Sequence, residues 1–304
     1  MRRSREAQQA AVRASREVLD RAATRRDDAW RRAADDNRRR ALTVAAVPFV
    51  IGFGVALVGI VVLPLLIVGL VLIIGWALIA AASWRSAVIG AGARIGGITA
   101  SEAVDAGVLQ GLAAERYQDV AESLCAALGL PVPRLLVLVD AAPNAMVSGV
   151  RPDEVRLLAT SGLLSMVERI ELEGVLAHEL AHVKRLDTLS GGLSVALLHG
   201  GRLGLPGSAR LASWLEGPNR ELEADLATVR VTRYPPGLIN ALAGIDEAPS
   251  SVPSASVQTG LLADTASQWI VPLAELQPSR SRATSPADEG VFGITERLEV
   301  LREL

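Results

Sequence analysis

Polar and apolar positions are distributed unevenly along this chain. Residues 1 to 40 are polar, with sparse apolar positions at Val12, Val18, Leu19 and Trp30, a pattern that predicts a solvated helix. From Ala41 to Trp84 no residue is charged and almost every position is apolar, with Arg38, Arg39 and Arg40 before the stretch and Arg85 after it. One helix of that length would extend about 66 Å at 1.5 Å per residue, roughly twice the hydrocarbon core of a bilayer. The stretch therefore reads as two spans joined by a turn within Gly59 to Pro64.

Beyond it the pattern becomes that of a folded domain. Gly90 to Gly111 is a Gly-rich connection, and Ala113 to Leu128 reads as an amphipathic helix ended by Gly129 and Pro131. Arg134 to Asp140, Asn144 to Val150 and Val155 to Thr160 read as strands, followed by a short helix from Ser161 to Val167. Glu171 to Asp187 places Leu172, Val175, Leu176, Leu180 and Val183 at helical spacing on so broad a surface that the helix is expected to be buried on most sides. Leu189 to Leu215 is broken by Gly and carries Arg202 and Arg210, which suits a shallow interfacial hairpin better than a span. A helix is expected from Pro218 to Arg233, ended by Pro235 and Pro236. Residues 248 to 290 form a Ser/Pro-rich mobile connection interrupted by the apolar Gln268 to Leu273, and Ile294 to Leu304 is the last helix. The expected class is α+β, mainly α: a helix over 1–40, a transmembrane helical hairpin over 41–84, and a domain with a small β-sheet over 85–304.

Composition sharpens this. Half of the 304 residues are hydrophobic but only 3% aromatic, a balance that suits a chain partly embedded in lipid. The net charge of −2 hides an uneven distribution, since residues 1 to 40 carry 13 Arg against 7 acidic residues. Arg on both flanks of the apolar stretch places the N-terminus and the following domain in the cytosol by the positive-inside rule. The first 40 residues then hold the membrane surface electrostatically, or form a partner-binding coiled coil. No aromatic residues interleave with the basic ones outside Trp30, which argues against nucleic acid as a partner. A single Cys125 excludes an internal disulfide and any Cys-based zinc site, and its Ala/Leu surroundings mark a core residue.

The chemistry lies in ELEGVLAHELAHVKRLD, residues 171 to 187. His178 and His182 stand four apart, one above the other on a helix, so that two imidazoles can grip one ion. Glu179 supplies a carboxylate that can hold and deprotonate the attacking water, which is the layout of a zinc hydrolase. A catalytic zinc needs one more protein ligand. Glu221, in NRELEADLATVR (219 to 230), is the candidate, with Asp225 one turn on and placed behind the metal to accept a ring N–H from a liganding His. His199 is read as a surface or packed histidine. The competing readings are a non-catalytic zinc-stabilised membrane scaffold and a zinc hydrolase of non-peptide bonds.

These segments resemble the HtpX-like membrane metalloproteases, relatives of the CAAX prenyl proteases. PNAMVSG (143 to 149) looks like that family's edge-strand motif, LEGVLAHELAHVKRLDTL (172 to 189) its zinc helix, and ELEAD (221 to 225) its third-ligand signature. QWIVPL (268 to 273) and ITERLEVLREL (294 to 304) resemble its closing segments. The resemblance implies a zincin-type metalloprotease domain over 85–304 and one Zn²⁺ per chain, held by His178, His182 and Glu221. It also implies endopeptidase activity on misfolded or selected membrane proteins, with Asn144, Ala145 and Met146 pairing with an extended substrate. Two features depart from the family pattern: Leu189 to Leu215 is too short and broken for two further spans, and PADEGVFG (286 to 293) replaces a His-Pro pair.

Overall fold

The computed structural model describes residues 2–59, 67–78, 97–149, 154–202, 207–217, 219–248, 268–271 and 292–304. Helix α1 (Arg2–Gly59) runs without a break from the Arg-rich segment through Pro48 into the apolar one. The change from charged to apolar residues at Ala41 alters what the helix faces and leaves its backbone intact, because Ala, Arg and Leu all favour helix. A second apolar helix, α2 (Ile67–Leu78), lies against it. A Cβ at Gly52 would fall 2.4 Å from Ile73 Cγ1, and one at Gly69 would fall 2.8 Å from Ala56 N. As one contact moves forward along α1, its partner moves back along α2, so the two helices approach in opposite directions. Most of the turn expected between them lies outside the described residues.

The domain that follows is built on a four-stranded sheet in the order β1-β2-β4-β3. Its strands are β1 (Ile98–Thr99), β2 (Arg134–Leu138), β3 (Ala145–Ser148) and β4 (Arg156–Thr160). β2 and β4 are parallel, in register from Arg134↔Arg156 to Leu138↔Thr160, whereas β1 and β3 add antiparallel edges. Residues 97 to 99 extend the sheet where the sequence suggested only a connection. Leu135, Val137, Ala145, Val147, Leu157 and Ala159 alternate into the main core.

Helices α3 (Ala100–Asp105), α4 (Gly111–Leu128), α5 (Ser161–Met166) and α6 (Arg169–Lys184) follow in chain order around the sheet. Tyr117 of α4 is fully buried and donates its hydroxyl to Leu157 O at 3.0 Å, tying that helix to the sheet's centre. Cys125 is buried, and burial pushes its thiol up to about 11, which agrees with a packing role. α6 begins two residues earlier than expected because Glu168 and Glu171 form a capping box, Glu171 Oε2 accepting Glu168 N at 2.8 Å.

Leu189 to Leu215 forms two helices, α7 (Asp187–Arg202) and α8 (Ser208–Glu216), packed on each other and on α1. Ala41 and Val44 of α1 meet Leu215 there, with Leu189, Leu193 and Leu197 alongside, while Trp30 joins the main core. The N-terminal helix is therefore part of the domain's packing. α9 (Arg220–Thr232), α10 (Pro235–Glu247) and α11 (Ile294–Arg302) complete the fold. Pro235 and Pro236, read as a stop signal, also open α10, since proline is equally at home in a first turn.

Candidate metal centre

Helix α6 forms the centre of the domain, buried on nearly every side from Leu172 to Val183. Two glycines allow that depth. A Cβ at Gly174 would lie 2.6 Å from Leu238 N, and one at Gly237 would lie 2.7 Å from Ile170 O, so α6 and the start of α10 cross backbone to backbone. Gly174 precedes His178 by one turn on the same face.

His178 and His182 are fully or almost fully buried, with their Nε2 atoms 3.2 Å apart. Helix α9 brings Glu221 across from them: Oε2 lies 3.1 Å from His178 Nε2 and Oε1 lies 3.5 Å from His182 Nε2. Ligands at the usual ~2.0–2.1 Å from a tetrahedral zinc stand roughly 3.3 to 3.4 Å apart, so the spacing suits a single ion. The ring orientations agree. His178 Nδ1 faces Asp225 Oδ1 at 2.8 Å and His182 Nδ1 faces Asp187 Oδ2 at 2.8 Å. With His182 Nδ1 bonded to Asp187 and His178 Nδ1 set against Asp225, both Nε2 atoms turn toward the Glu221 carboxylate. Three acceptors converging in a buried space fit a divalent cation.

The sequence indicated Asp225. It did not indicate the groups that hold the rings' carboxylate partners. Arg297 of α11 clamps Asp225 with Nε to Oδ2 at 2.7 Å and Nη2 to Oδ1 at 2.8 Å, and also donates to Ile270 O at 2.6 Å. Asp187 reaches His182 through a reversal just past the end of α6. Leu186 there has φ 59°, a left-handed conformation that costs a non-glycine residue about 1–2 kcal/mol. An acidic residue five positions after the second His was the available signal, but the turn that aims it carries no glycine to announce itself.

Glu179 is 1% exposed and neither carboxylate oxygen has a hydrogen-bond partner among the described residues. Burial raises its pKa, with the two histidines partly opposing the shift. A buried carboxylate without protein donors has its lone pairs left for water or substrate. Glu221 behaves in the opposite way: burial works to raise it, yet His182, His178 and Arg220 hold it well below the usual carboxylate range, leaving it ionised as a ligand must be. In the field of the protein groups alone, burial disfavours a charged His178, but Asp225 and Glu221 outweigh it and raise its pKa to about 9.

The expected substrate strand is placed differently from an open edge. Asn144, Ala145 and Met146 are all buried, and the outer edge of β3 is met by Gln268–Val271. Asn144 Nδ2 donates to Val271 O at 2.9 Å, Ala145 O accepts from Ile270 N at 2.9 Å, and Met146 bridges Trp269 in antiparallel fashion. The apolar Trp269, Ile270 and Val271 bury themselves by completing that edge. A groove continues beyond them along Val147, Ser148 and Gly149, walled by Thr188, Gly191 and Val195 of α7. The side chain of His199 lies outside the described residues.

A buried His-His-Glu triangle beside an unpartnered carboxylate, on a helix packed against a small mixed sheet, defines a metallopeptidase centre. Residues 112–212 match the family described as Peptidase family M48. The chain is 30% identical over 216 residues to a protein named "Protease HtpX homolog" from Dictyoglomus turgidum (strain DSM 6724 / Z-1310), covering 60% of this chain and 67% of that protein. It is 30% identical over 168 residues to a namesake from Listeria monocytogenes serotype 4b (strain CLIP80459), covering 41% and 55%. A third namesake, from Dictyoglomus thermophilum, is 31% identical over 176 residues, covering 47% and 58%. The chain thus spans two thirds of the first relative and a little over half of the other two. It belongs to the HtpX-like M48 metalloprotease family. No solved structure matches it. The M48 match ends before Glu221, Asp225 and Arg297, so their assignment stands on geometry.

Proposed function

We propose that this protein is a membrane-anchored zinc endopeptidase that cleaves extended segments of membrane or misfolded proteins at the cytosolic face. The observation that carries the reading is the His178–His182–Glu221 triangle with the unpartnered Glu179 carboxylate beside it. His178, His182 and Glu221 would hold the ion, and Asp225 and Asp187 fix which ring nitrogens face it. When bound, zinc supplies a Lewis acid that polarises water and the scissile carbonyl. Glu179 accepts the proton of the attacking water and returns it to the departing amine as the C–N bond breaks.

Substrate recognition follows from β3. Asn144 and Ala145 fix Ile270 and Val271 as a template, and a peptide laid along Val147 to Gly149 continues the same antiparallel edge through backbone hydrogen bonds that tolerate many side chains. The groove is walled by Thr188, Gly191 and Val195 of α7, the helix that opens at Asp187 beside His182.

Anchoring is supported by the belt of exposed apolar side chains on α1 and α2, among them Val50, Phe53, Val71 and Leu78, each more than half exposed. Among the described residues one helix, within Asp28–Leu57, is long and apolar enough to cross a bilayer. The antiparallel approach of α1 and α2 supports two spans over residues 41–84, with Arg38 to Arg40 and Arg85 keeping both ends cytosolic. Zinc-dependent turnover of casein by the detergent-solubilised protein, lost on chelation and restored by zinc, tests the enzymatic reading. A metal-loaded protein with no turnover of any unfolded substrate would instead identify a scaffold.

A further inference from the structure

One residue of the N-terminal helix reaches the surroundings of the metal centre. Asn37 of α1 is 7% exposed, and its side-chain amide donates both hydrogens to the turn that follows α6. One goes to Arg185 O at 2.8 Å and the other to Asp187 Oδ1. Both partners are acceptors, so the amide orientation is fixed by its surroundings. These two bonds straddle Leu186, the residue held in the left-handed conformation. Asp187 Oδ2 meanwhile accepts from His182 Nδ1 at 2.8 Å and Arg185 Nε at 3.0 Å.

Of the donors reaching the Asp187 carboxylate, Arg185 and His182 come from the zinc helix or its end. Asn37, described in the same network, comes from a distant part of the chain. Asp187 is 2% exposed, so an oxygen deprived of Asn37 would lose its partner in a place that water does not freely enter. The carboxylate could then rotate, and the His182 ring with it.

We propose that Asn37 is a positioning residue for the metal centre: by holding Asp187 and the Leu186 turn, it sets the His182 ring for metal binding and makes the N-terminal helix a wall of the active site. Because α1 continues unbroken from Asn37 to Gly59, the segment assigned to the membrane and the second histidine are joined by one helix and two hydrogen-bonded side chains, Asn37 and Asp187. This inference rests on the metal-centre reading above.

The test measures zinc affinity by chelator competition on the full-length protein in detergent. Asn37→Ala should weaken zinc binding about 10–100-fold, the range for losing a group that orients a ligand. In an Asp187→Ala background the same change should have no further effect, because the role of Asn37 runs through Asp187. Val44→Ala, which loosens the packing of α1 away from this contact, should leave zinc affinity within about twofold of the parent while lowering stability. Asn37→Leu, close in volume, takes the place of Asn37→Ala if the latter does not fold. Unchanged affinity in both Asn37 variants, additive effects with Asp187→Ala, or an equal loss in Val44→Ala would each overturn the proposal. Absence of zinc binding in the unaltered protein would instead bring down the metal-centre reading itself.

Discussion

Arg297 and Asp225 lie 72 residues apart in sequence and meet in a two-pronged ion pair, at 2.7 and 2.8 Å, with both side chains almost fully buried. The pair ties α11 to the helix that carries Glu221. Its geometry matters because Asp225 faces His178, so a shift of the carboxylate would be passed to the ring. Breaking a buried pair by removing one partner leaves an uncompensated charge and costs about 3–5 kcal/mol. Arg297→Ala is therefore expected to lower the unfolding free energy by that amount and to weaken metal binding. Arg297→Lys should recover only part of each, since an ammonium cannot fork across both oxygens. A loss under about 1 kcal/mol in chemical denaturation, typical of an exposed pair, would show that water reaches this one.

Glu179 offers the cleanest separation of chemistry from binding. Glu179→Gln keeps the side chain's size and removes its capacity to accept a proton. Loss of a general base costs roughly 10²–10⁴-fold in rate. The variant should retain one zinc per chain by elemental analysis while peptide turnover falls by at least that factor. Because burial raises the carboxyl's pKa, activity in the parent should fall as pH drops through that raised value. Full turnover by the variant would remove Glu179 from the mechanism.

How much of this centre the sequence revealed follows from the distance over which each contact acts. His178, Glu179 and His182 were legible because helix geometry alone places residues four apart together, and Glu221 with Asp225 repeats the same rule on a second helix. Arg297 and Asn37 act across long sequence separations, and no local pattern marks them. Asp187 depends on a left-handed turn at Leu186, a position where glycine would ordinarily be the signal. The Gln268–Val271 segment stood out as an apolar interruption, but its pairing with β3 is a tertiary fact. β2, β3 and β4 were foreseen to within two residues, whereas β1 was read as connection and α10 was hidden behind prolines that end one helix and begin the next.

Gly174 tests whether the depth of α6 is a packing requirement. Its hypothetical Cβ meets backbone atoms of Leu238 and Gly237, which cannot rotate away as a flexible side chain could. Gly174→Ala would gain helix propensity, about 1 kcal/mol in an open site. Overpacking against rigid backbone opposes that gain by about 1–3 kcal/mol or more. A net destabilisation is expected, along with weaker zinc binding because His178 sits one turn away on the same face. A variant more stable than the parent would mean that α6 and α10 separate easily.

His178 is held at about 9 in the field of the protein groups, above the ordinary imidazole value of 6.5, because Asp225 and Glu221 outweigh the burial that opposes its charge. A raised folded-state pKa makes the protonated ring stabilising in metal-stripped protein. That contribution is fully present below the unfolded value of 6.5 and is lost as pH rises through about 9. Zinc requires the neutral imidazole, so binding near neutral pH must expel this proton. Calorimetry in buffers of different ionisation enthalpy should therefore report about one proton released from His178 per zinc at neutral pH, with affinity rising up to about tenfold per pH unit until the ring is neutral. Glu221, held well below the usual carboxylate range, should add nothing to the release. A zinc affinity independent of pH across this interval would mean that His178 is already neutral, and that the acidic pair around it does not dominate its charge.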